Sequence, residues 1–192
     1  MTRGAFLKLA LAGAAWTFGT GHTPYRQWVV YRKRHLLILT SRTDGPSYPL
    51  GKRVAEILAT HLPASKARVS RAPYTERIAS LISTKQMDVA LLSRDDAAAL
   101  LEGRPPFADY GPVPLRVIIG LGNYLLVCRD DFPAPHAYLV ARTLSAHRAE
   151  VPVPVFPDPP GAKEPDATVP THPGALAYFE GRPLPEVEAK ER

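Results

Sequence analysis

Cysteine is nearly absent from this sequence: among 192 residues there is one thiol, Cys128. That excludes an intramolecular disulfide and any multi-cysteine zinc or iron–sulfur centre. Long apolar runs are lacking too. The stretch Ala5 to Phe18 has 14 residues and is broken by Lys8, short of the roughly 20 that span a bilayer as a helix. Catalytic signatures are also missing: there is no GxSxG nucleophile elbow, no HExxH, no phosphate-loop lysine pattern and no dinucleotide glycine fingerprint. The chain therefore does not read as an enzyme, and no pattern calls for a cofactor. Neither a helix-turn-helix, nor a zinc-finger spacing, nor interleaved aromatic and basic residues speak for nucleic acid, so none is expected as a partner.

Proline, by contrast, is plentiful. Of 21 prolines, 12 lie from residue 132 onward, which places the packed structure in the middle of the chain and irregular structure toward its C-terminus. Charge is uneven as well. Residues 1–72 carry 12 Lys and Arg against 2 Asp and Glu, a balance of +10, and residues 73–192 carry 12 against 16, a balance of −4. A basic first half suits nucleic acid, an anionic lipid surface or an anionic ligand, and charge by itself prefers none of them. Arg3 ahead of the 14-residue apolar stretch has the layout of a signal-peptide core. Gly4 stands where a twin-arginine signal would carry its second arginine. The basic group Arg32, Lys33 and Arg34 opposes translocation, so residues 1–35 read either as a cleaved signal peptide or as an uncleaved N-terminal membrane anchor; a buried N-terminal helix is the third reading.

From residue 36 the pattern alternates between strand and helix. Leu36 to Thr40 is a short apolar run followed by turn residues. Ser47 is expected to cap a helix with Pro49 in its first turn, and Leu50, Val54, Ile57, Leu58 and Leu62 share one face before Pro63 stops it. Ala67 to Ser70 reads as a second strand, Pro73 and Thr75 lead a helix with Ile78, Leu81 and Ile82 inward, and Asp88 to Leu92 reads as a third strand. Ser93 caps a third helix that ends at Gly103. This βαβαβα order predicts an α/β fold with a mostly parallel sheet flanked by helices. Leu115 to Leu121 and Tyr124 to Cys128 add two strands divided by Gly122-Asn123. A helix over about 136–147 follows, with Tyr138, Leu139, Ala141 and Leu144 on its apolar side. Residues 151–171 read as a proline-rich linker, His172 to Phe179 as a short helix, and the rest as a tail. The α/β lobe thus spans 36–150.

Isolated polar residues carry little chemistry by themselves. Cys128 lies inside an apolar strand pattern, as a small buried hydrophobe would. His61 is expected to meet carbonyls at a helix end, and Asp130 and Asp131 to open a loop. The loop Ser41 to Gly51 is more telling. It joins the carboxyl end of a parallel strand to a helix N-terminus, where backbone N–H groups and the helix dipole attract carboxylate or phosphate. Ordinary turn chemistry accounts for the same residues equally well. The loops at Ala72 to Arg77 and Leu92 to Asp95 would form the other sides of one site.

The run TSRTDGPSYPLGKRVAEILATHLP, Thr40 to Pro63, resembles the opening motif of the TAXI family of solute-binding proteins, which serve tripartite ATP-independent periplasmic (TRAP) transporters. Tyr48 to Gly51 match its YPLG helix start. KQMDVALLSRD, LRVIIGL, DDFPAPHAYLVARTL and THPGALAYF are similar to later family segments. The resemblance implies a periplasmic-binding-protein-like lobe, a small anionic solute such as a carboxylate or amino acid, a TRAP-type permease as partner, and a periplasmic location. It further implies that the second lobe is missing, because the residues expected between LRVIIGL and YLLVCRDD are absent; Ala72-Pro73 also replace a Gly-Gly, and Arg42, Asp44 and Pro46 replace a Thr- and Gly-rich loop start. A single-lobe protein that has lost solute binding and serves as an interaction surface is the alternative. The expected ligand-binding residues are Arg42 as charge partner, Thr43, Ser47 as donor, Tyr48, Tyr74, Thr75 and Ser93, with no metal.

Overall fold

The computed structural model describes residues 35–151 and 168–185. The expected signal or anchor segment, most of the proline-rich linker and the end of the tail lie outside the described residues. In chain order the elements are β1 (Leu37–Ser41), α1 (Ser47–His61), β2 (Arg68–Ala72), α2 (Thr75–Ser83), β3 (Val89–Ser93), α3 (Arg94–Glu102), β4 (Leu115–Leu121), β5 (Tyr124–Arg129), α4 (Ala134–Ala146) and α5 (Pro173–Phe179). Five strands form one sheet in the order β2-β1-β3-β5-β4. β1 pairs in parallel with β2 and β3, whereas β5 is antiparallel to both β3 and β4. Four strands therefore run in one sense, and the expected α/β lobe is the observed fold.

Both faces of the sheet are covered, which explains why β1, β3, β4 and β5 read as largely apolar runs, whereas β2, at one edge of the sheet, carries Arg68, Ser70 and Arg71. Along β1, Ile38 points to one layer and Leu39 to the other. The first layer packs Leu50, Val54 and Leu58 of α1 with Ala137, Val140 and Leu144 of α4 and Ala175 of α5. The second packs Ile78 and Ile82 of α2 with Leu100 of α3 and Phe107. Cys128 faces the first layer, fully buried; burial pushes its thiol pKa well up, and it is an apolar filler. Gly103 ends α3 at φ 66°, in the left-handed region that glycine enters freely.

Several expected boundaries shift. β1, β2 and β3 each start one residue later than the apolar runs suggest, and β2 reaches Ala72. Parallel pairing sets these limits: the Leu36 N–H donates to Ser65 O instead of joining the ladder. Ser47 is the first residue of α1 and not its cap; Pro46 holds the cap position without a side-chain bond. α4 begins two residues early, at Ala134, and buries Ala137, Val140, Ala141 and Leu144, leaving Tyr138 and Leu139 half-buried. The linker ends before residue 171: Val169 is buried in the second layer, and Thr171 bridges Val117, with the Val117 N–H donating to Pro170 O at 2.9 Å. His61 meets Glu150 and not helix carbonyls.

Candidate functional site

The carboxyl ends of β1, β2 and β3 lie at one edge of the sheet, and the loops that leave them carry most of the expected ligand-binding residues. Thr40 fixes the end of β1 by donating to Ser70 O at 3.1 Å. The next residue, Ser41, is buried and forms the hub of a hydroxyl cluster. Its Oγ lies 2.8 Å from Thr43 Oγ1 and accepts from the Thr43 N–H at 3.2 Å. Thr75 Oγ1, from the start of α2, donates to Ser41 Oγ at 3.1 Å and lies 3.4 Å from Thr43 Oγ1. Ser47, also buried, donates to Asp44 O at 2.8 Å and accepts the Ser41 N–H at 3.3 Å. Three small hydroxyl side chains thus join the loops after β1 and β2, with Ser47 closing the first loop behind them.

The third loop is tied in through β5. Ser93 lies opposite Tyr124 in the β3–β5 register, and Tyr124 Oη donates to Asp44 Oδ1 at 2.7 Å across 80 residues of sequence. Burial and the bond to Asp44 push the phenol pKa up, so it stays a donor. Ser93 Oγ accepts the Asp96 N–H at 3.1 Å and caps α3 as expected. Burial, opposed by that Ser93 bond, and the neighbouring Asp44, Asp95 and Glu76 raise the pKa of Asp96. Three other carboxylates therefore act on Asp96 at this edge.

The seven expected residues divide accordingly. Thr43, Ser47 and Thr75 come together, and Ser93 stands beside them through Asp96 and Tyr124. Arg42 is exposed; its N–H donates to Ala72 O at 2.9 Å, and its guanidinium has no hydrogen bond or ion pair among the described residues. Tyr48 turns its ring beneath Arg71, whose guanidinium carbon lies 4.6 Å from the ring centroid, a cation–π contact that ties α1 to β2. Tyr74 is 47% exposed. The N-terminus of α1 offers fewer donors than an open helix end, since the Ser47 N–H goes to Asp44 O at 3.3 Å and Pro49 has none.

Ser41, Asp44, Asp96 and Tyr124 stand outside the expected ligand-binding set, although Ser41 and Asp44 lie in the loop that the sequence singles out. Ser41 ends a strand, Tyr124 begins another, and nothing in their spacing announces that they converge. The turn Gly122-Asn123 belongs to the same edge: the Arg94 N–H donates to Asn123 O at 3.0 Å and its Nε to Gly122 O at 3.1 Å. A separate cavity of about 440 Å³ opens at the opposite edge, lined by Leu36, Leu62, Asp88, Phe132 and His136 among others. No helix among the described residues is long and apolar enough to cross a membrane. No family model matches the chain, and no curated protein matches it either.

Proposed function

We propose that this chain is a solute-binding component of a TRAP-type transporter, reduced to one lobe, that works outside the cytoplasm and passes a small organic anion to membrane permease subunits. The observation that carries this reading is the convergence of Ser41, Thr43 and Thr75 at the carboxyl edge of the parallel strands, where open α/β sheets hold their ligands. Arg42 supplies a cation at the rim. Asp44, Asp96 and Glu76 favour a solute that carries an ammonium group as well, so an amino acid fits better than a simple carboxylate. The extracytoplasmic location rests on the apolar segment at Ala5 to Phe18; a reporter active only after export, fused to residues 1–40, should be active.

The alternative, an interaction lobe that has lost its solute, draws on two observations. The hydroxyl groups already bond to one another, and the two-residue turn at Gly122-Asn123 fills the position where the resemblance places the second lobe. A thermal-shift panel of small carboxylates and amino acids on the full chain separates the two readings. A ligand at a hundred times its dissociation constant adds about 2.7 kcal/mol of stability; a panel without any shift at millimolar concentration favours the interaction lobe.

A further inference from the structure

The far end of α1 carries a second cluster, about 21 Å from Ser47 at 1.5 Å rise per residue. His61, the last residue of α1, and His147, directly after α4, direct ring nitrogens at the same carboxylate oxygen. His61 Nε2 lies 3.4 Å and His147 Nδ1 3.0 Å from Glu150 Oε1, and the three ligand atoms lie within 4.8 Å of one another. Glu150 is held from behind. Arg53 Nε donates to its backbone carbonyl at 2.9 Å and Arg53 Nη2 to Oε2 at 3.1 Å, which leaves Oε1 turned toward the imidazoles.

From this arrangement we infer that His61, His147 and Glu150 form a site for a divalent ion of the zinc type. Two imidazoles and one carboxylate are a zinc donor set, and tetrahedral bonds of about 2.0–2.2 Å separate ligand atoms by about 3.3–3.6 Å. The observed separations from Oε1 are close to that edge. The carboxyl ends of α1 and α4 meet here, and the partial negative charge of two helix C-termini favours a cation. Arg53 fixes the carboxylate as an outer partner does in metal sites. The imidazole rings stack with centroids 3.4 Å apart and planes 15° from parallel. An ion lies in the plane of each ring that binds it, so the rings must fan open to share one. Both side chains are 31% exposed, which leaves them room to turn. A bound ion would clamp the ends of α1 and α4 to Glu150, and water would complete its shell.

The test is calorimetric titration of the untagged full chain with zinc chloride, paired with melting curves. The site predicts one ion per chain, a melting temperature that rises with zinc, and no response to magnesium, which prefers oxygen ligands. His61→Ala, His147→Ala and Glu150→Gln should each weaken binding by about tenfold or more, while His136→Ala, near the N-terminal end of α4 and far along the helix from His147, leaves it unchanged. Circular dichroism confirms that each variant is folded. Absence of zinc binding by the wild type overturns the inference, as does undiminished binding by a folded His61→Ala/His147→Ala double variant.

Discussion

Replacing Gly174 by alanine tests how α5 is held on the lobe. A Cβ at this position would lie 1.9 Å from Ala134 O, 2.7 Å from its carbonyl carbon and 2.8 Å from its Cα. All three are backbone atoms at the first residue of α4, between Pro133 and Pro135, whose fixed φ angles leave little give. An ordinary contact requires α5 to withdraw by roughly 1.5 Å. That movement pulls on His172, whose Nδ1 accepts the Gly174 N–H at 3.1 Å while Nε2 faces Phe132 O at 2.8 Å. Overpacking costs about 1–3 kcal/mol, and leaving buried partners unpaired costs about 1–3 kcal/mol more. Alanine's better helix propensity returns at most about 1 kcal/mol. The expected net loss is about 1–5 kcal/mol, read from urea unfolding of the full chain. Gly45→Ala is the control, since nothing lies within 4 Å of its added Cβ; it should change stability by less than about 0.5 kcal/mol. A Gly174→Ala midpoint at or above the wild type would refute the reasoning.

Three further outcomes are expected. Burial lowers the pKa of His172 below its usual 6.5, so the unfolded chain takes up a proton at a higher pH than the folded one; its contribution is full above pH 6.5 and is lost as pH falls through the lowered folded value. Urea midpoints should therefore drop more between pH 7 and pH 5 for the wild type than for His172→Gln, and equal drops would contradict the buried neutral imidazole. Tyr124→Phe removes the donor to Asp44 and should cost about 1.5 kcal/mol in the same assay, at the low end for a half-buried bond to a charged acceptor; no change would mean that the link between the loops contributes nothing. Cys128, buried with a raised pKa, should react with a thiol reagent only as fast as the chain unfolds, and rapid labelling of the native state would contradict its burial.

The parts of the fold that sequence exposed are those governed by local periodicity. Leu50, Val54, Ile57 and Leu58 recur at helical spacing because they face one layer, and all four are buried. Ser93 and Gly103 mark the ends of α3 by local chemistry. What stayed hidden depends on pairing across long separations. The Gly122-Asn123 hairpin is legible, yet its insertion of antiparallel β5 between β3 and β4 is not, since apolar content does not specify a neighbour. Val169 sits in a stretch whose prolines suggest a linker, but pairing of Thr171 with Val117 draws it into the core. At the candidate site, turn chemistry pointed to the loop after β1, while Ser41 and Tyr124 owe their place to partners 34 and 80 residues away.

The most direct measurement of the central claim is calorimetric titration of the wild type and of a Ser41→Ala/Thr75→Val variant with small carboxylates and amino acids. The hydroxyl cluster predicts that at least one such solute binds the wild type, best when it carries both a carboxylate and an ammonium, and that the folded variant loses about tenfold or more in affinity, the equivalent of about 1.4 kcal/mol. Failure of every solute to bind the wild type at millimolar concentration, or equal affinity for the variant, would contradict the claim.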